Sequence, residues 1–198
     1  MQAQEREACT MKKAAGFTLS ELLITLTILA IVTTMALPSF TDFIKRYKSK
    51  TKQFELFELL ILMRSKAYYE KISYTLCPLG QSKECGDNWS NGALLFPDHN
   101  GNGSIDQGES IERRYEPIEN GASLNWNAFN NKGYLIFKPN GETPSQSGNF
   151  SYCPAIGGAE YGWIIILNTI GRPYFAKDRD GDGIVENGSR KNLTCPQN

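Results

Sequence analysis

The chain has 198 residues, with 21 basic against 21 acidic side chains and a single histidine, and a mean hydropathy of −0.38. That charge balance argues against a protein whose main task is to coat nucleic acid. One histidine, no Ser/His/Asp or Cys/His arrangement that can be assembled around it, and no glycine-rich phosphate loop opening a helix argue against an enzyme.

The first informative stretch is Lys12-Lys13, then Gly16, then Phe17-Thr18-Leu19-Ser20-Glu21-Leu22-Leu23. The apolar run from Phe17 to Leu37 is 21 residues long. At ~1.5 Å per helical residue it crosses a hydrocarbon core of ~30 Å. One carboxylate, Glu21, lies just inside it, at a cost of roughly 2.5–3.5 kcal/mol if ionised there. A cut between Gly16 and Phe17 creates an ammonium four residues before Glu21, within reach in the same chain or from a neighbour. Lys12-Lys13, the apolar run and Thr34-x-Ala36 also fit a conventional signal peptide loosely, but Glu21 and the length of the run argue against it.

These residues resemble the type IV prepilin family, which covers type IV pilins and type II secretion pseudopilins. The resemblance implies that residues 1–16 are a leader cut off by a prepilin peptidase, with N-methylation of Phe17. It implies that 17–37 spans the inner membrane, and that Glu21 pairs with the Phe17 amine of an adjacent subunit during assembly with other pilins or pseudopilins. Met11 as a start gives the short leader MKKAAG. Loss of residues 1–16 leaves 18 basic against 19 acidic residues. The flanking cations are Arg6, Lys12 and Lys13 before the span and Lys45, Arg46, Lys48, Lys50 and Lys52 after it. By count alone the C-terminal part stays inside. The cysteines and the prepilin resemblance place it in the periplasm instead.

From 38 to 73 a helical pattern continues, kinked rather than ended by Pro38. Phe40, Phe43, Ile44, Tyr47, Thr51, Phe54, Phe57, Ile61 and Tyr68 recur mainly every three or four residues, against a face bearing Lys45, Lys48, Lys52, Glu55 and Lys66. Leu59 to Met63 is apolar all round and belongs under a sheet. The helix is expected to end near Ser73. Residues 74–198 then form the head. Short β-type runs separated by Gly, Pro, Asn and Asp are Ser73–Cys77, Ala93–Phe96, Ile111–Ile118, Ser123–Trp126, Gly133–Lys138, Asn149–Cys153, Gly162–Asn168 and Arg172–Ala176. No βαβ alternation occurs, so the sheet is antiparallel and the fold class α+β. Trp89, Trp126 and Trp163 read as core aromatics, and Gly141–Gly148 as a mobile loop.

Cys9 leaves with the leader, and Cys77, Cys85, Cys153 and Cys195 remain. An even number in an exported domain reads as disulfides, and four cysteines allow three pairings. The favoured one joins Cys77 to Cys85 in a short loop and Cys153 to Cys195, pinning the tail to the sheet.

The head also carries Cys85-x-x-x-Trp89-x-x-Gly92, Phe96-x-Asp98, Ile136-Phe137-x-Pro139-x-Gly141 and Gly171-Arg172. In this order they resemble the GspH/FimT group of minor pilins and pseudopilins. That group implies a pilin-like fold with a long N-terminal helix against a small antiparallel β head, and a structural role in a type IV pilus or a type II secretion pseudopilus.

Two acidic loops suggest calcium, the one cofactor the sequence points to. In the first, Asp98, Asn100, Asn102, Gly103, Asp106 and Glu109 follow the template D-x-[DN]-x-[DN]-G-x5-E. Its flanks read as strands, so the alternative is an Asx- and Gly-rich turn. In the second, Asp178, Asp180 and Asp182 have the spacing, but Ser189 stands at the closing position. Three carboxylates this close repel one another, which a cation would relieve.

FimT-type pilins are associated with DNA uptake through a basic Gly-Arg-x-Arg loop. Here the matching run is Gly171-Arg172-Pro173-Tyr174, with Tyr in place of the second Arg. DNA is therefore the alternative partner, through Arg172, Tyr174 and Lys177. The net charge of residues 171–198 is only +1, whereas phosphate neutralisation needs several uncompensated cations.

Overall fold

The computed structural model describes residues 16–82, 84–130 and 132–196, except the side chains of Met35 and Pro38. Cys9, Met11, Lys12 and Lys13 lie outside the described residues. One helix, α1 (Leu19–Glu70), is followed by strands β1 (Tyr74–Pro78), β2 (Ala93–Pro97), β3 (Arg113–Tyr115), β4 (Ser123–Ala128), β5 (Leu135–Phe137), β6 (Gly148–Cys153), β7 (Trp163–Leu167) and β8 (Pro173–Phe175). The helix continues through Pro38 and stops at Glu70 rather than near Ser73. Lys71 follows it at φ 60°, the left-handed conformation that closes helices.

The chain divides into two compact units within α1, between Phe43 and Ile44. In the first, every described side chain from Leu19 to Phe43 is exposed. Among the described residues α1 is long and apolar enough to cross a membrane, an 18-residue window of it having a mean hydropathy of 2.1. Its threonines do not leave hydroxyls unpaired. Thr25 donates to the Leu22 carbonyl, Thr27 to Ile24, Thr33 to Leu29 and Ala30, and Thr34 to Ile31. Such back-bonding lets a hydroxyl sit in hydrocarbon without an unsatisfied donor.

The second unit, residues 44–198, packs the rest of α1 on two antiparallel four-stranded sheets, ordered β3-β2-β1-β5 and β4-β6-β7-β8. Each predicted β-type run overlaps a strand, and the expected single sheet is two. One core joins all three layers. Leu56, Leu60 and Met63 come from the helix, Tyr74, Leu95 and Phe137 from the first sheet, and Trp126, Phe150 and Trp163 from the second. Trp89 meets Phe150 edge to face at 4.9 Å, and Trp163 stacks on Tyr152 at 5.1 Å. The outer faces are covered too, which is why β1 and β2 are buried at every position. Ile105, Ile111 and Tyr134 pack over Cys77, Leu94 and Phe96 of the first sheet. Ala176, Ile184, Val185 and Leu193 cluster with Cys153 and Ile164 of the second.

Two expectations change. The helix face turned to the core is Ser49, Gln53, Leu56, Leu59, Leu60, Met63 and Ala67. The aromatic stripe lies elsewhere: Tyr47 is 63% exposed, Phe54 50%, Ile61 41% and Tyr68 51%. Side chains that are neither aromatic nor branched at Cβ allow close approach to the sheets, and Ser49 is satisfied by donating to the Tyr161 carbonyl. The Gly141–Gly148 segment is not loose. Gln146 is buried, accepts from the Ile136 amide at 2.9 Å and donates to the Tyr134 carbonyl at 2.9 Å. Its side-chain amide thus takes the place of a neighbouring strand along β5.

Candidate functional site

At the start of α1, Thr18 and Glu21 form a reciprocal cap. The Thr18 amide and hydroxyl donate to Glu21 Oε2 at 2.9 and 3.0 Å, and the Glu21 amide donates to Thr18 Oγ1 at 3.2 Å. The pattern Thr-x-x-Glu is the capping-box signature. It satisfies amides that no helical carbonyl can reach. Sequence reasoning fixed on the acid's cost in lipid and missed its local partner, though the Thr18–Glu21 spacing carried the signal. Glu21, Phe17 and Gly16 are all exposed in the single chain.

The scattered head motifs converge in space. Cys77 and Cys85 are bonded, as are Cys153 and Cys195. Asn88 accepts from the Ser90 amide at 2.9 Å and caps the short turn that carries buried Trp89. Gly171, at φ +74°, lies so close to the 141 turn that an added Cβ would fall 2.3 Å from the Gly141 carbonyl oxygen and 2.8 Å from the Phe137 ring. Arg64 of α1 spans both turns, donating to the Gly141 carbonyl at 3.1 Å and the Ile170 carbonyl at 3.3 Å. The Ile136–Gly141 and Gly171–Arg172 motifs therefore record one packing contact under a helix arginine.

Residues 55–171 match the family model described as Type II transport protein GspH, and residues 11–37 match the prokaryotic N-terminal methylation motif. The GspH match covers more than half of the chain. The chain belongs to the GspH family. It is a minor pilin or pseudopilin of the type IV pilus or type II secretion class. Its fold is similar to that of the Pseudomonas aeruginosa type IV minor pilin FimU, with a TM-score of 0.54 at 19% identity over 68% of this chain and 92% of that one. A second crystal form of FimU gives 0.51 at 19% identity over 65% and 92%. The minor pseudopilin EpsH of the Vibrio cholerae type 2 secretion system gives 0.49 at 12% identity over 65% and 95%. No curated protein matches the sequence significantly.

In this GspH-family head the two acidic loops differ. Asp98 is fully buried. Its Oδ1 accepts from the Gly101 and Asn102 amides at 2.6 and 3.1 Å, and its Oδ2 from the Gly103 amide at 2.9 Å and Thr75 Oγ1 at 2.6 Å. Asn100 and Asn102 donate to Asp106 Oδ2 at 2.7 and 2.8 Å. Glu109 accepts from the His99 and Asp106 amides, both at 2.9 Å. Most oxygens that would face a cation thus already accept protein hydrogens. Asp178, Asp180 and Asp182 are exposed, each with an oxygen within 4.8 Å of the others. Asp178 accepts from the Gly181 and Gly183 amides at 2.7 and 2.8 Å, and the Gly183 bond, followed by the Gly181 bond, holds its carboxyl below the ordinary range. Buried Glu186 accepts from the Arg179 amide at 2.9 Å.

Arg172, Tyr174 and Lys177 are all exposed. Arg172 and Tyr174, two residues apart on or beside edge strand β8, share one side of it. The same strand's Phe175 turns to the helix and packs on Phe57 at 4.3 Å.

Proposed function

We propose that this subunit is made as a prepilin, cut between Gly16 and Phe17 by a prepilin peptidase and methylated at Phe17. It crosses the inner membrane once through 17–37 and holds residues 44–198 in the periplasm. Its work is assembly with other pilins or pseudopilins, with no reaction catalysed. The observation that carries this is one acid, Glu21, near the start of the otherwise uncharged run 17–37, inside the N-terminal methylation motif. In lipid the ionised acid needs a partner, and the amine created at Phe17 supplies a full positive charge where Thr18 supplies only neutral donors. A subunit in the wrong axial register would leave that charge unmatched. The internally bonded threonines and the two disulfides fit a lipid-embedded segment and an oxidising compartment.

Mass spectrometry of protein from its native host should show a chain beginning at methylated Phe17. Glu21→Ala should still insert into the membrane but be strongly depleted from sheared filaments or pseudopili. Wild-type incorporation of that variant, or a native chain that still carries Lys12-Lys13, overturns the reading.

A further inference from the structure

Arg64 carries more donors than its packing role uses. A guanidinium has five N–H groups in a flat fork. Here Nε–H goes to the Gly141 carbonyl at 3.1 Å and one Nη2–H to the Ile170 carbonyl at 3.3 Å. Both acceptors are neutral, and among the described residues Arg64 pairs with no carboxylate. A half-buried charge is left with unused donors and no counter-ion. Arg64 borders a cavity of about 300 Å³ together with Ser65, Tyr68, Tyr69, Asn140 and Gly141. The other walls are uncharged and rich in hydroxyl and amide groups. Ser65 makes no back-bond of the kind that ties Thr51 to the Tyr47 carbonyl. The exposed Tyr68 and Tyr69 rings meet edge to face at 5.6 Å, and their hydroxyls make no hydrogen bond among the described residues. Lys71 adds a second cation, its ammonium 4.0 Å from the centre of the Tyr68 ring. The nearby acids are engaged: Glu70 holds Lys66 and the Tyr74 hydroxyl, and Glu142 accepts from Asn140 at 2.7 Å.

We propose that this cavity binds the carboxylate-bearing sugar of an acidic polysaccharide, a hexuronate unit. The free side of the Arg64 fork takes the sugar carboxylate through paired N–H bonds, the geometry in which arginine binds carboxylates best. An exposed tyrosine ring takes the apolar C–H face of the pyranose, and the hydroxyls of Ser65, Tyr68 and Tyr69 with the Asn140 amide take its hydroxyls. Such a balance of one charge, flat apolar surface and a few convergent polar groups suits a small ring. A nucleic acid would also bring anions, but one arginine and one lysine are too few to follow a phosphate chain. A terminal peptide carboxylate would fill the fork and leave the hydroxyl-bearing walls without partners. The site lies wholly within residues 44–198 and goes beyond assembly, so it stands or falls independently of the role of Glu21.

The test uses the full chain in mild detergent and saturation-transfer NMR. The probes are short oligomers of galacturonate and of mannuronate, their methyl esters, and a neutral glucose oligomer. At least one uronate should bind saturably, and its methyl ester and the neutral sugar roughly tenfold more weakly or worse. Arg64→Lys keeps the charge but loses the fork, and should weaken uronate binding by about tenfold. Because Arg64 also ties the helix to two turns, Tyr69→Ala is the second variant. Its side chain is exposed, so its melting temperature should match the wild type while uronate affinity falls by about fivefold. Failure of both uronates to bind overturns the proposal, as does equal binding of the methyl esters or the neutral sugar. So does wild-type affinity in Tyr69→Ala or in folded Arg64→Lys. Tighter binding of a single-stranded DNA oligomer, or of a peptide with a free terminal carboxylate, gives the cavity to that ligand and overturns it as well.

Discussion

Two segments of the head do the same job from nearly the same opening sequence, and one is anchored where the other is not. Asp-His-Asn-Gly-Asn-Gly begins at Asp98 and leads the cover over the first sheet. Asp-Arg-Asp-Gly-Asp-Gly begins at Asp178 and leads the cover over the second. In both, the first aspartate gathers the amides of the following turn. Asp98 directly succeeds β2 and reaches Thr75 of the neighbouring β1, so its carboxylate lies inside the protein. Asp178 stands three residues beyond β8 and stays in solvent. The motif thus sets the turn, and its distance from the last paired residue decides whether the turn is a rivet or a surface loop. The disulfides differ as well: Cys153–Cys195 closes 42 residues and encloses the second cover, whereas Cys77–Cys85 closes 8 and lies beside the first.

The largest contrast should come from the staples. On loop-closure entropy, replacing Cys153 and Cys195 by serine should cost about 4 kcal/mol, and replacing Cys77 and Cys85 about 2.5 kcal/mol. Denaturant unfolding of the detergent-solubilised chain measures both, and equal losses would break the contrast. Next is Asp98→Ala. It strands the Gly101 and Gly103 amides and the buried Thr75 hydroxyl, while the exposed Asn102 amide keeps Asn100 Oδ1 as an acceptor, so a loss of about 3 kcal/mol is expected. Asp178→Ala should shift the melting temperature far less. A comparable drop for both variants would show that burial is not what distinguishes the two turns.

The smallest effect is on acid stability. The Asp178 carboxyl is held below its ordinary value in the folded state, chiefly by the Gly183 amide and then by Gly181. Its contribution is therefore complete above the unfolded pKa of about 3.9 and fades as pH falls through the lower folded value. The difference in melting temperature between wild type and Asp178→Asn should be level from neutral pH to about 5, then shrink below about 4. A gap that widens with acid would reverse the assignment.

Much of this was legible before the fold was known. The strands announced themselves because short β-branched and aromatic runs alternate with Gly, Asn and Pro. Their division into two sheets did not, because it depends on β5 returning to β1 while β4 pairs with β6, a long-range choice with no local mark. The helix face was misjudged for a physical reason. Aromatic residues at helical spacing look like a core stripe, yet close approach to two sheets selects Ser49, Gln53 and Ala67. The Gly141–Gly148 run reads as loose by composition, and only the three-dimensional fit shows Gln146 standing in for a strand. At the helix start the Glu21 anomaly was plain, while its bond to Thr18 was available from spacing alone and went unused.

The longer staple also sets an order of events during biogenesis. Cys195 is synthesised 42 residues after Cys153, and the tail between them clads β7 through Ile184 and Val185. A partly synthesised chain therefore has a second sheet without this cover until Cys195 has been made, and closing the bond fixes the cover in place.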